Sequence, residues 1–501
     1  MSASKTDLKI QSSGEKATEL TSVSVRFCGD SGDGMQFAGS HFTDSAALAG
    51  NDFATAPDFP AEIRAPRGTL FGVSGFQVQF ASTEIYTPGD SVNAMVAMNP
   101  AGFRSNIKDV EQGGIVIVNE DEFDKKHLEK CGYEKGYNPL DDDDINTSYK
   151  ICRVPMTRLT RESLVDDSED VSIKDIDRCK NMFALGIISW LYSRDIQPTI
   201  ERLQQYFGEV KKQPQLAAMN VRAIKAGYYF GETAELFPSR YQVAPAKLPS
   251  GTYRRISGNE ALVLGLATAA AKAGKRVLYA SYPITPASDV LHGLARLKHL
   301  GVRTFQAEDE LGAVMTAIGA SFAGDIAVTG TSGPGLALKS EAIGLAVIME
   351  LPLVILNIQR AGPATGMPTK SEQADLLQAM FGRPSESPVV VLAASSPSDC
   401  FHMAIEAVRF AIRAMCPVVL LSDGTIANAA EPWLIPDISK IPPIETHRPS
   451  SNGEQFQPYK RDKDTLARSW AVPGDEGLEH RSEEHTSELQ SRRNLVCRLL
   501  L

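Results

Sequence analysis

The sequence predicts two consecutive doubly wound α/β domains followed by the beginning of a third, truncated one. Three observations predict it: a strand, a glycine-rich turn and a helix in succession near the N-terminus; a regular alternation of short apolar runs with longer helical patterns between 258 and 421; and proline-rich breaks on both sides of that alternation. A chain of 501 residues, 43% of them hydrophobic, holds two to four domains at about 100 to 200 residues each, with enough apolar material for more than one core.

Residues 1–21 are polar and mixed in charge and are expected to be disordered. From 22 to 27 the residues alternate with the period of a strand, and Gly29-Asp30-Ser31-Gly32-Asp33-Gly34 then turns the chain into a helical pattern over 35–49. Apolar runs at 94–98 and 115–118, bounded by turn residues, read as buried strands, and helical patterns at 182–206 and 215–229 complete a first domain of 22–231. Pro238, Pro245 and Pro249 mark 232–252 as a linker.

The second domain, 253–430, opens on a small-residue helix over 258–273 and a strand over 276–280. Helix 311–323, strand 326–329, helix 339–350, strand 353–358, helix 397–414 and strand 417–421 follow, which predicts a parallel sheet covered on both faces. Prolines recur from 430 to 449, and Pro458-Tyr459-Lys460-Arg461 with Trp470-Ala471-Val472-Pro473-Gly474 read as the entry to another domain, so 431–481 is taken as a linker and a truncated start. Residues 482–501 carry a polar charged run ending in Leu499-Leu500-Leu501, without caps or turns; they are expected to be a non-native tail from a sequencing or assembly error.

The formal net charge of −10 comes from interspersed acids and bases with no basic stripe, which argues against nucleic acid as a partner. The first 20 residues lack a basic segment followed by an apolar core, and the apolar run 342–358 is broken by Glu350 and Pro352, short of the roughly 20 residues that cross a bilayer. The expectation is a cytoplasmic protein without membrane contact. Seven cysteines, at 28, 131, 152, 179, 400, 416 and 497, include no C-x-x-C pair and read as reduced, buried thiols. An iron–sulfur cluster takes about four thiolates, so none is expected within this chain and no metal site is predicted; electrons would have to leave through a partner.

Three segments carry the chemistry. Glu308, Asp309 and Glu310 open a helix of small residues. Acids in a first turn also satisfy free amides and the macrodipole, worth about 0.3 to 1 kcal/mol each. The helix beyond, however, is too apolar and finely packed for a surface helix, so at least one of the acids is expected to face a close interface. Glu310 shares a face with Val314 and Ala317 and would be desolvated there and inclined to hold a proton. It is the catalytic candidate, with Glu308 as fallback. Tyr282-Pro283-Ile284-Thr285-Pro286 follows a strand, and its prolines make it a rigid loop at the carboxyl edge of a parallel sheet, where α/β folds bind ligands; the Thr285 hydroxyl can donate to a substrate carbonyl or carboxylate. Arg360 ends another strand at the same edge and has the fork that matches a carboxylate, and the loop from Gly362 to Lys370 brings Thr369 towards the same place. Thr331-Ser332-Gly333-Pro334-Gly335 is read as helix-entry packing before an anion nest.

In this order the motifs resemble the α subunit of a 2-oxoacid:ferredoxin oxidoreductase, with that family's γ domain fused ahead of it. The nine residues from Glu310 to Gly319 match the family's spacing between its glutamate and a helix glycine, and Asp58-Phe59-Pro60-Ala61-Glu62-Ile63-Arg64-Ala65-Pro66 with Gly72-Val73-Ser74 is similar to the fused chains assigned to 2-oxoglutarate. The resemblance implies that 22–231 is a γ domain that helps to enclose coenzyme A and that 253–430 is the pyrimidine half of a thiamine diphosphate site. It implies that Glu310 serves the aminopyrimidine, with Tyr282, Pro283 and Ile284 as further cofactor contacts, and that Thr285, Arg360 and Thr369 hold the 2-oxoacid carboxylate. It further implies a β subunit carrying the diphosphate and Mg2+ site and a [4Fe-4S] cluster, with ferredoxin as electron acceptor. The implied reaction is oxidative decarboxylation of a 2-oxoacid with coenzyme A to acyl-CoA, CO2 and two electrons, reversible under strong reductant. Rival readings are a pyruvate or branched-chain 2-oxoacid enzyme, and a non-catalytic nucleotide-binding or assembly module indifferent to Glu310.

Overall fold

The computed structural model describes residues 17–62, 65–164, 171–237, 239–449, 456–458 and 460–478; most of the expected disordered start, all of the expected foreign tail, and Ile63 and Arg64 of the 58–66 motif lie outside them. The chain divides into two compact units, 1–250 and 251–501.

The first unit is built on a six-stranded sheet in the order β3-β4-β2-β5-β6-β7, formed by β2 (Ser22–Asp30), β3 (Asp52–Asp58), β4 (Val73–Ala81), β5 (Val92–Ala97), β6 (Val110–Asn119) and β7 (Lys150–Val154). A short strand before them, β1 (Thr18–Leu20), pairs in parallel with β8 (Tyr241–Val243). The strand–turn–helix opening is present, with helix Met35–Leu48 entered through Gly34 in the left-handed region at φ +74°. Phe42 of that helix stacks edge-on against Phe27 and Phe80, while Phe103 packs with Cys28 and Met95, so both sheet faces are covered.

Two features of this unit depart from the sequence reading. β2, β5, β6 and β7 run parallel, but β3 and β4 add an antiparallel edge, because the chain between them supplies no crossover helix among the described residues. The helix expected over 182–206 is two, Lys180–Leu191 and Gln197–Leu203, parted where Ser193 takes φ +52° and Pro198 can only start a helix. Helix Lys180–Leu191 is buried all round and meets helix Pro214–Thr233 at Gly186 and Gly227, where a Cβ on either would enter the partner's backbone.

The second unit carries an all-parallel sheet in the order β11-β10-β12-β13-β15-β14: β10 (Val277–Ser281), β11 (Val302–Gln306), β12 (Ile326–Thr331), β13 (Leu353–Gln359), β14 (Val390–Ala393) and β15 (Pro417–Asp423). β12, β13 and β15 are buried at every position, as the continuous apolar runs predict. Helices Gly258–Ala273 and Asp399–Ala414 pack one face with Val328, Val354 and Leu356; helices Glu310–Phe322 and Ser340–Ile348 pack the other with Ala327, Ile355 and Val419. A further antiparallel pair, β9 (Tyr253–Ser257) with β16 (Ala430–Leu434), brings the two ends of the alternating region together.

The segment read as entry to another domain folds back onto this unit. Trp470, 2% exposed, donates from Nε1 to the Ser321 carbonyl at 3.2 Å and lies under the Lys275 ammonium, 4.1 Å from the ring centre. No described helix is long and apolar enough to cross a membrane.

Candidate active site

The carboxyl ends of β10, β12 and β13 converge on one group of side chains in the second unit. Tyr282, one residue beyond β10, is buried; its hydroxyl lies 2.9 Å from the Thr331 hydroxyl at the end of β12 and is in electrostatic reach of the Glu310 carboxyl. Burial pushes the Tyr282 hydroxyl well above the ordinary phenol range; Thr331 opposes that shift and the nearby Glu310 adds to it, so the group is neutral here. Gly335 lies against the same three residues: a Cβ there would collide with the Tyr282 and Thr331 hydroxyls and meet Glu310 Cγ at 3.2 Å.

Glu310 is the first residue of its helix and is half-buried. Asp309 is the N-cap, its side chain accepting from the Gly312 amide at 2.8 Å, and Glu308 is exposed. The capping role that competes with catalysis therefore falls to Asp309 and leaves the Glu310 carboxyl for the Tyr282 cluster. The helix is not packed on all sides: Val314, Ala317 and Ile318 are buried, whereas Leu311 and Met315, 50% and 47% exposed, form an open apolar face with Gly312 and Gly319. The expectation of a finely packed helix holds on one side only.

Arg360 follows β13 and is largely buried. It donates from Nη1 to the Thr285 carbonyl and from Nη2 to the Thr365 carbonyl, both at 2.9 Å, which ties the loop after β10 to the loop after β13, while its Nε has no protein partner. Two of its five donors are spent on backbone. Burial lowers its proton affinity, and Tyr282 and Glu310 act against that, which puts the guanidinium in electrostatic reach of both. The 361–370 loop is stitched by its own backbone, Ala361 N to the Lys370 carbonyl at 2.8 Å and Met367 N to the Ala361 carbonyl at 3.1 Å, and Thr369 is half-buried on it. Pro283 and Thr285 are exposed and Ile284 is half-buried.

One participant went unread in the sequence. Lys339, between helices Gly333–Leu338 and Ser340–Ile348, is fully buried; its Nζ donates to the Glu310 carbonyl at 2.8 Å and to Thr329 Oγ1 at 3.4 Å and stands 5.1 Å from the Tyr282 ring centre. The only signal was a lone cation inside the apolar stretch 333–348.

Along its length, 462 residues of this chain are 54% identical to the 2-oxoglutarate oxidoreductase subunit KorA of Mycobacterium tuberculosis, covering 92% of this chain and 69% of that protein. The chain belongs to the 2-oxoacid:ferredoxin oxidoreductase family. Residues 24–230 match the family model described as pyruvate ferredoxin/flavodoxin oxidoreductase, and residues 269–496 the model described as pyruvate flavodoxin/ferredoxin oxidoreductase, thiamine diphosphate binding. A 2-oxoglutarate:ferredoxin oxidoreductase from Magnetococcus marinus, solved with 2-oxoglutarate, coenzyme A and succinyl-CoA bound, superposes with a TM-score of 0.76 at 28% identity, covering 93% of this chain and 74% of that one. The 2-oxoglutarate synthase subunit KorA of Archaeoglobus fulgidus is 42% identical over 191 residues, 38% of this chain and 54% of that protein, so this match spans about half of that protein's length.

In the first unit of this family member, the Gly29–Gly34 turn borders a pocket of about 700 Å³ whose lining includes Asp30, Asp33, Arg67, Lys130 and Lys180. Lys180 Nζ lies 3.1 Å from Asp33 and 3.4 Å from Glu122, a buried ion cluster at the base of the turn.

Proposed function

We propose that this chain is the fused γα subunit of a 2-oxoglutarate:ferredoxin oxidoreductase, which converts 2-oxoglutarate and coenzyme A to succinyl-CoA and CO2 and passes two electrons to ferredoxin. The observation that carries the reading is the convergence of Glu310, Tyr282 and Arg360, within electrostatic reach of one another, at the carboxyl edge of a parallel sheet. 2-Oxoglutarate is preferred to pyruvate or a branched-chain 2-oxoacid because the M. tuberculosis and M. marinus proteins are named for it.

The residues present fit the aminopyrimidine of thiamine diphosphate: one half-buried carboxyl in reach of a tyrosine hydroxyl, on a helix whose Leu311 and Met315 form an open apolar face. Glu310 would hold the ring nitrogen, and Tyr282, Pro283 and Ile284 would border the ring. When bound, thiamine diphosphate supplies the nucleophilic carbon and the electron sink for decarboxylation. This chain contributes placement and proton handling. Glu310 would give and take a proton at a carboxyl oxygen near the Tyr282 hydroxyl, and Thr331 holds Tyr282. The donors that Arg360 has not spent on Thr285 and Thr365, with the hydroxyls of Thr285 and Thr369, would orient the substrate carboxylate.

A β subunit would bring the diphosphate and Mg2+ site and the [4Fe-4S] cluster. The exposed Leu311, Met315, Leu338 and Phe381 favour such a partner, since apolar side chains on one unit are stabilised by burial. The complex is proposed to work in the cytoplasm.

The test is anaerobic, coenzyme A-dependent viologen reduction by the chain co-purified with its candidate β subunit, comparing 2-oxoglutarate with pyruvate. Turnover of 2-oxoglutarate that collapses in Glu310→Gln is expected. Preference for pyruvate would reassign the substrate, and no turnover from a cofactor-loaded complex would overturn the reading.

A further inference from the structure

Lys339 is an expensive residue for folding alone. Its ammonium is fully buried with a carbonyl, a hydroxyl and an aromatic face around it, and among the described residues no carboxylate lies within ion-pair distance. A methionine of similar length would fill this space without the desolvation cost. The charged groups that act on it are Glu310 and Asp309, at the start of the facing helix; Tyr282 and Thr329, from the loop after β10 and from β12, are neutral.

We infer that Lys339 is a positioning residue for Glu310: it pins the backbone of the first helical turn and sets a positive charge in reach of the carboxyl that this turn carries. This rests on the reading of Glu310 as the carboxyl that serves the cofactor. Geometrically, the bond from Nζ to the Glu310 carbonyl joins the helix that carries the carboxyl to the rigid Gly333–Leu338 turn, which Gly335 packs against the Tyr282 cluster. Electrostatically, the Lys339 ammonium interacts with the Glu310 and Asp309 carboxylates, so its charge is part of the field at the start of that helix. Burial lowers the proton affinity of Lys339 to about 8, partly opposed by Glu310 and Asp309, so the charge is present at neutral pH and is withdrawn in mild alkali.

The experiment compares wild type, Lys339→Met and Lys339→Arg in the complex with the β subunit, reading kcat and KM against pH and, on the chain itself, melting temperature against pH. For Lys339→Met the expected results are a kcat lower by about 10- to 100-fold, a KM for the 2-oxoacid within about twofold of wild type, and no alkaline limb where wild type is expected to have one, near pH 8. Lys339→Arg, whose charge persists, is expected to recover part of kcat and to stay active above that limb.

The folded state holds this proton less tightly than the unfolded chain, whose value is 10.5, so the buried charge costs stability fully below about 8 and the cost fades between there and 10.5. Lys339→Met should therefore melt above wild type at pH 7, with a gap that closes towards pH 10.5. Unchanged kcat, an alkaline limb that survives in Lys339→Met, or a kcat loss that tracks a lower melting temperature would each overturn the inference. A wild-type complex without turnover would fail the functional reading instead, and the melting comparison would still decide whether Lys339 is a destabilising buried charge.

Discussion

The Arg360 guanidinium donates to the carbonyl of Thr285 at 2.9 Å, so the residue expected to hold a substrate carboxylate also fastens one loop of the site to another. With a second arm on Thr365 and Nε left over, the side chain does both tasks only as a planar fork. Lysine keeps the charge but cannot reach both carbonyls. Arg360→Lys is expected to raise the 2-oxoacid KM by about tenfold or more and to lower stability by about 1–3 kcal/mol, the worth of hydrogen bonds from a charged donor that ties the two loops. Steady-state kinetics and thermal melting read the two effects separately; a KM that does not move would leave Arg360 as a loop fastener alone.

Gly335 is required by space rather than by backbone conformation. A methyl group there would push between the Tyr282 and Thr331 hydroxyls, which lie 2.9 Å apart, and would press on Glu310. Gly335→Ala is expected to destabilise the chain by about 1–3 kcal/mol through overpacking and to depress activity with it. Tyr282→Phe separates the parts of that effect, since it removes the hydroxyl and keeps the packing. Wild-type melting and activity in Gly335→Ala would mean that the cluster rearranges at no cost.

In the first unit, Asp30 is buried, with one oxygen accepting from the Gly68 amide at 2.8 Å and the other without a partner. Burial, reinforced by Asp33, raises its proton affinity, and Gly68, Arg67 and Lys130 only partly offset this. Folded Asp30 holds its proton more tightly than the unfolded chain does. Its contribution is therefore favourable below the unfolded value of 3.8 and is lost as pH rises through the folded one. Asp30→Asn should melt higher than wild type at neutral pH, with the gain fading as pH approaches about 4. Melting curves between pH 4 and 8 check this; a gain that is constant with pH would assign the effect to packing.

What the sequence disclosed was local. Helix Gly258–Ala273 lies where periodicity put it, because Ser257 and Glu260 form a capping box at its start and Gly274 ends it in the left-handed region. The buried strands of the second unit were readable as continuous apolar runs. The antiparallel β3–β4 edge, the pairing of β9 with β16 and the buried ammonium of Lys339 were not, since each depends on partners far along the chain. The acceptors of Lys339 are 29 and 10 residues away, and nothing within its own helical turn marks it as buried. The candidate site was legible in the same measure: the carboxyl, the proline loop and the arginine each had a motif, whereas their convergence arises only once β10, β12 and β13 lie side by side.

Gly319 separates folding from assembly. It sits in the interior of helix Glu310–Phe322, one turn beyond exposed Met315, with nothing within 4 Å of the place a Cβ would take. On the chain alone, Gly319→Ala removes backbone freedom from a helix interior and should stabilise by about 0.5–1 kcal/mol. On a face that receives a β subunit closely, the same methyl group would hold the two surfaces apart. The expected outcome is a higher melting temperature for the isolated chain together with weaker β-subunit binding in titration calorimetry. A variant that gains stability and binds the β subunit as wild type does would place the subunit contact away from Leu311, Met315 and Gly319.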